Sequence, residues 1–169
     1  MKKLPRVLLA LSSLLLGAMF LFPIWYIGLE APQYPEGISL YIKLRTITGG
    51  GEFDLSKVNM LNHYIGMRPL LESEFSEFIW LPFAIGGLMI LALRAMVMGK
   101  MSKLVDVFVL FTWFGLYSFW SFYHRMSTYG HNLDPQAPIK VEPFTPPLLG
   151  TEVVGNFTVY SYPDIASFA

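Results

Sequence analysis

Three apolar runs constrain this chain more than any other feature, because each is long enough, or nearly so, to cross a lipid bilayer as a helix. They are residues 7–27, 78–93 and 104–123. The hydrocarbon core of a bilayer is about 30 Å thick, which corresponds to roughly 20 helical residues. Hydrophobic residues make up 54% of the chain and charged residues only 14%, too apolar a balance for an ordinary soluble domain. We therefore expect three transmembrane helices.

The first run has the features of an anchor that is not cleaved. A secretory signal usually has an apolar core of about 7–15 residues, and this run is longer. It ends in residues 22–27, an aromatic segment suited to a membrane interface, and has no clear small-residue cleavage site. We expect residues 1–28 to form the first transmembrane helix.

Basic residues set the expected orientation. Three precede the first run and three lie in the short link between the second and third runs: Lys2, Lys3, Arg6, Arg94, Lys100 and Lys103. Short segments rich in lysine and arginine stay in the cytoplasm. We therefore expect a bacterial inner-membrane protein with a cytoplasmic N-terminus and a periplasmic C-terminus.

The two polar segments outside the membrane predict a small folded cap. Residues 38–45 alternate strictly between apolar and polar, which indicates a half-buried strand. Residues 156–162 look like a second strand that could pair with it. Between them a short helix is predicted, capped by Asp54 or Ser56 and ended at Gly66.

The predicted fold class is a membrane protein, mainly α, with three transmembrane helices and a small extracytoplasmic α+β cap. The cap has too little chain for a large core of its own, so we expect it to pack on the membrane helices or on a partner. The predicted divisions are residues 1–28 (first helix), 29–77 (loop with strand and short helix), 78–103 (second helix and cytoplasmic link), 104–123 (third helix) and 124–169 (proline-rich tail with strand).

Histidine and methionine gather at the outer membrane face. Met60, His63 and Met67 are spaced i, i+3, i+7, which places them on one face if the short helix persists. His124 and His131 follow the third helix and could converge on that face. Imidazole with thioether sulfur is a ligand set that favours Cu(I), and the imidazole must be neutral to bind. These five residues are the candidate metal ligands.

Other interpretations of these residues stay open. Most of the nine methionines fill membrane or core space in such a chain. His124 continues an aromatic stretch and could mark the membrane boundary. His63 and His124 could also be axial ligands of a haem, although haem is the less favoured cofactor.

Several function classes are disfavoured. Without cysteine there can be no disulfide, Cys-ligated zinc or iron–sulfur cluster, and a net charge of zero gives no reason to expect nucleic acid. Asp106 lies near the start of the third run beside Lys103 and is interpreted as a solvated acid rather than part of an ion pump. No phosphate loop, Ser-His-Asp arrangement or carboxylate pair stands out, so we do not expect an enzyme.

Three stretches of the outer part resemble a known group of proteins. They are residues 29–37, 59–67 and 131–140. The group consists of small bacterial membrane proteins encoded beside the copper-delivery lipoprotein and ABC-transporter genes of nitrous-oxide reductase clusters. The resemblance implies a role in supplying copper to, or assembling, a periplasmic copper enzyme. His63, Met67 and His131 lie within the resembling stretches, whereas His124 does not.

Two hypotheses from different classes follow. The first is an inner-membrane accessory protein that binds copper and passes it to a copper enzyme, lipoprotein or transporter. The alternative is a non-catalytic structural subunit of a larger respiratory or transport complex, in which the helices fill a subunit interface. Membrane lipid is a partner in both. Haem or quinol chemistry is a weaker third hypothesis.

Overall fold

Three long apolar helices carry a five-stranded antiparallel sheet at one end. The computed structural model describes residues 3–154 and 156–169. The helices are α1 (Lys3–Gly17), α2 (Asp54–Tyr64), α3 (Glu77–Met98), α4 (Met101–His131) and α5 (Ile165–Phe168). The strands are β1 (Trp25–Ala31), β2 (Tyr34–Ile42), β3 (Ile47–Gly49), β4 (Gly150–Val154) and β5 (Phe157–Pro163). Short 3-10 turns cover Ala18–Phe20 and Glu72–Glu74.

Within the described residues, three helical segments are long and apolar enough to cross a membrane. They are Lys3–Phe20, Glu77–Met98 and Met101–His131. Together with the sheet, they fit the predicted membrane α protein with a small β-containing cap. The membrane location is thereby supported.

The helices α1 and α3 run antiparallel and pack closely. Leu9 of α1 is buried against Ala92 and Ala95 of α3. One turn further along, the Ser13 hydroxyl donates a hydrogen bond to the Met89 carbonyl oxygen at 3.3 Å. Small residues such as alanine let two helix backbones approach, which is how membrane helices usually associate.

The third long helix, α4, is much less enclosed by the rest of the chain. The Trp80 ring of α3 packs against Phe114 at 6.3 Å and Tyr117 at 5.7 Å between ring centroids. Yet none of the most apolar 18-residue window of α4 is buried, compared with 28% of the window in α3. The surface of α4 is therefore left to lipid or to another protein.

The sheet has the order β3-β2-β1-β5-β4. β1 lies in the middle, where Leu29 pairs with Ile38 of β2 on one side and with Val159 of β5 on the other. The predicted pairing of residues 38–45 with residues 156–162 is therefore wrong, because β1 separates the two strands. β2 also starts and ends earlier than predicted, at Tyr34 and Ile42.

The first helix is shorter than predicted, and its predicted end is the central strand. α1 ends at Gly17, and Trp25 already begins β1. Pro23 lacks an N–H to continue a helix, and the aromatic and β-branched residues that follow favour strands. Partners on both edges satisfy the backbone of β1. Met1 and Lys2 of the predicted helix lie outside the described residues.

The last long helix extends beyond its predicted end. Residues 104–123 were expected, whereas α4 continues to His131 without a break. No proline or glycine interrupts residues 116–129, so nothing in the sequence stops the helix at the membrane boundary. Tyr129, near the end of α4, is buried in the cap core. One helix thus joins the membrane layer to the cap.

The short helix α2 lies close to its predicted bounds and ends before Gly66, which has φ +78°. The predicted capping by Asp54 or Ser56 is not observed. Instead, the buried Asp54 carboxylate accepts hydrogen bonds from the backbone N–H groups of Gly51 at 2.9 Å and Ser39 at 3.1 Å. The bond from Ser39 thereby connects the start of α2 with β2.

Candidate functional site

The three predicted ligands around α2 do not share one face. Met60 and His63 are exposed, and Met60 retains 54% of its accessible surface. Met67, by contrast, is half-buried and packs against the cap core. The helix ends before Gly66, so the i, i+7 relationship that would align Met67 with Met60 is lost. The predicted three-ligand face is therefore not formed.

The two other histidines lie on α4 rather than beyond it. They are separated by about 10.5 Å along the helix axis, from the rise of 1.5 Å per residue. The His124 ring stacks on Trp120, with 5.6 Å between centroids and 7° between planes. His131 Nδ1 lies 2.9 Å from the carbonyl oxygen of Ser127. Each imidazole thus contacts its own helix.

The segments that carry His63 and His131 nevertheless meet. The N–H of Asp134 donates to the Gly66 carbonyl oxygen at 2.8 Å, and the N–H of Ile139 donates to the Tyr64 carbonyl oxygen at 2.9 Å. We call this backbone contact the histidine junction. His63 and His131 each lie three residues before one partner of the Gly66–Asp134 bond. Two of the three stretches named in the resemblance therefore touch in space.

The histidine junction lacks a conventional metal-binding cluster of His, Cys, Asp and Glu side chains. Across residues 3–154 and 156–169, no three His, Cys, Asp or Glu side chains come together in a way that could hold a metal ion. The Asp134 carboxylate accepts a hydrogen bond from the N–H of Gln136 at 2.8 Å. The candidate ligands at the junction remain imidazole and methionine thioether, of which the thioether is a soft ligand.

A second polar site, which the sequence reasoning missed, joins α3 to α4. Arg125 Nη2 lies 2.7 Å from Glu77 Oε2, and the Ser121 hydroxyl donates to Glu77 Oε1 at 2.8 Å. Arg125 Nη1 also donates to the Glu74 carbonyl oxygen at 3.1 Å, and the Tyr129 hydroxyl donates to Glu74 Oε2 at 3.3 Å. The i, i+4, i+8 spacing of Ser121, Arg125 and Tyr129 was the signal that could have revealed it.

An apolar cavity of about 310 Å³ adjoins this polar site. Its walls come from β1 and β2 on one side and from α3 and α4 on the other. Trp25 pairs with Ile42 across the strands, and both side chains line it. The Trp25 ring also packs on Phe122 of α4 at 5.2 Å between centroids. The cavity thus lies where the sheet meets the helices.

An electrostatic effect at the start of α2 concerns Asp54. The hydrogen bond from the Gly51 N–H, followed by that from Ser39 and the attraction of Lys57, holds the pKa of this carboxyl below its usual value against the opposing effect of burial. Lys57 Nζ lies 3.6 Å from Asp54 Oδ1. Asp54 is therefore ionised in the folded protein, and its role is structural.

Comparisons of the chain with protein-family models, curated proteins and solved structures found no match.

Proposed function

We propose that this protein is a membrane-anchored accessory protein that supplies copper to, or helps to assemble, an extracytoplasmic copper enzyme such as nitrous-oxide reductase. The observation that carries the proposal is the histidine junction, because it brings His63 and His131 into neighbouring segments. The resemblance of residues 59–67 and 131–140 to proteins encoded in copper-delivery clusters supports the same role.

The exposure of the ligands suits transfer better than storage. Met60 and His63 lie on the surface of α2, so a partner's ligands can approach a copper ion bound there. His131 is also exposed at the end of α4. A soft thioether and neutral imidazoles would bind Cu(I). A partner could take the ion from such an exposed site, whereas a buried, closed site would not release it. In this proposal Met67 and His124 have structural roles.

The proposed orientation places the cap in the periplasm of a bacterium. Lys3 and Arg6 lie at the end of α1 opposite the sheet, together with Lys100 of the α3–α4 link and Lys103 in the first turn of α4. Positive charge at that end is typical of the cytoplasmic side. The histidine junction would then face periplasmic enzymes and copper carriers.

The test is a Cu(I) competition titration of the purified full-length protein against a chromophoric chelator. We expect one copper per chain, with affinity lowered roughly tenfold or more in His63→Ala and in His131→Ala, since each removes one ligand. His124→Ala is the matched control, because its ring stacks on Trp120. Unchanged affinity in both His63→Ala and His131→Ala would refute the site. A Soret band in the purified protein would point to haem instead.

A second candidate function is favoured by the surface of α4. A non-catalytic subunit of a larger membrane complex would bury such an aromatic helix against a neighbour, and the apolar window of α4 is wholly unburied in the isolated chain. Copurification in fixed stoichiometry with a large complex, without bound copper, would select this function over copper supply.

A further inference from the structure

The cavity beneath the sheet is open to the membrane rather than sealed inside the protein. Gly115 and Phe119 line it and also lie on the exposed surface of α4. Both residues belong to the segment of α4 that is apolar enough to span a bilayer. At about 310 Å³ the cavity reaches the roughly 300–1,000 Å³ of small-molecule sites. A lipid-soluble molecule can therefore enter from the side.

One buried polar group in this cavity has no partner. The Ser118 hydroxyl is shielded from solvent and forms no hydrogen bond within the described part of the chain. A buried polar group without a partner is costly, and native proteins usually satisfy such groups. Because Ser118 lines the cavity, rotation of its side chain to another rotamer would let the hydroxyl donate to an acceptor on a bound molecule.

The charges at the cavity favour an anionic ligand. Lys43, Arg125 and Glu77 line it, and Glu77 is neutralised by its ion pair with Arg125. Lys43 belongs to none of the salt bridges in the described part of the chain, so one positive charge is left over. Lysine and arginine side chains bind phosphate oxygens through charge-assisted hydrogen bonds, so the phosphate of a lipid would match this charge.

We propose that this cavity binds one phospholipid, with an acyl chain between the sheet and α4 and the phosphate near Lys43 and Arg125. The side chains along α4 become more polar in the same order as the groups of such a lipid, from acyl chain to ester to phosphate. Gly115 is deepest and borders the chain, Ser118 donates to an ester carbonyl, and Arg125 lies about 10.5 Å further outward, beside the phosphate. A quinone would satisfy Ser118 but leave the charge of Lys43 unmatched.

The experiment counts phospholipids on the full chain, purified from native membranes in mild detergent, by native mass spectrometry and phosphorus analysis. Gly115→Leu is the decisive variant, because no atom lies within 4 Å of a Cβ there and a longer side chain would fill the cavity. Gly87→Leu is the matched control, since it has equal space on α3 but does not line the cavity. We expect one retained phospholipid in the wild type and in Gly87→Leu, and its loss in Gly115→Leu.

A second variant keeps the proposal testable if Gly115→Leu does not fold. Lys43→Gln removes the uncompensated charge and leaves the apolar walls unchanged. We expect it to lose the preference for anionic over zwitterionic phospholipid in vesicles of defined composition. Three results would overturn the proposal: no lipid retained by the wild type, equal retention in Gly115→Leu and Gly87→Leu, or recovery of a quinone in place of phospholipid.

Discussion

The backbone N–H of Asp134 lies 2.8 Å from the carbonyl oxygen of Gly66, so the loop after α2 is joined directly to the segment after α4. These residues are far apart in sequence, and the helices α3 and α4 lie between them. The contact therefore closes the cap over the outer end of α4. It also makes the two histidine segments neighbours.

Gly66→Ala should destabilise the cap. Gly66 has φ +78°, and a Cβ there would lie 2.8 Å from the Asp134 nitrogen. We expect a loss of about 1–3 kcal/mol from strain at this backbone conformation and from the displaced segment. Thermal unfolding in detergent measures the loss, and Gly86→Ala, which has open space in α3, is the control. Equal midpoints for the two variants would contradict the prediction.

Gly130→Ala should be destabilising although it replaces glycine with the best helix former. The Phe144 carbonyl approaches the position of the missing Cβ too closely for a methyl group. The N–H of Phe144 donates to the Gly130 carbonyl oxygen at 3.1 Å, so the tail and α4 would have to separate. Ordinarily the substitution in a helix stabilises by about 1 kcal/mol. Gly87→Ala should stabilise the protein in this ordinary way, measured as a rise in the unfolding midpoint.

Breaking the Glu77–Arg125 pair should cost more than breaking the exposed Lys103–Asp106 pair. The side chains of Glu77 and Arg125 keep only 22% and 27% of their accessible surface. We expect Glu77→Gln to lose about 1–3 kcal/mol, because Arg125 is left without its carboxylate. Asp106→Asn should change stability by about 0–1 kcal/mol, since that pair is solvated. If Asp106→Asn proves the more harmful of the two, the ranking fails.

The stability of the cap should fall in acid through Asp54. Its folded-state pKa is below the ordinary value of 3.8, owing first to the Gly51 N–H, so the folded state binds its proton less readily than the unfolded state. The stabilisation is therefore present above pH 3.8 and is lost as the pH falls through the folded-state pKa. Asp54→Asn should flatten the dependence of unfolding free energy on pH below 4. If the unfolding free energies of the wild type and Asp54→Asn fall equally with pH below 4, Asp54 is not the cause.

The apolar runs predicted the long helices because length and hydropathy are local properties. The strand β1 could not be predicted, since Trp25 and Ile27 suit a membrane interface as well as a sheet. Its strand conformation depends on pairing with β5, which is distant in sequence. The stop at Gly66 was predictable from glycine's freedom at positive φ. The side-chain direction of Met67 was not, because it depends on where the helix ends. The spacing of Ser121, Arg125 and Tyr129 marked a polar face of α4, but the partners of that face, Glu77 and Glu74, lie in other elements and could not be predicted from it.

Because α4 is longer than a bilayer is thick, the position of the cap depends on how this helix is tilted in the membrane. Its 31 residues span about 46 Å, whereas a hydrocarbon core is about 30 Å thick, so roughly three turns stand clear of the lipid. Tyr129 lies within those turns and is embedded in the cap core. A helix without a proline acts as a stiff rod, so a tilt that α4 adopts in a thinner membrane must lower and rotate the sheet and both histidine segments with it.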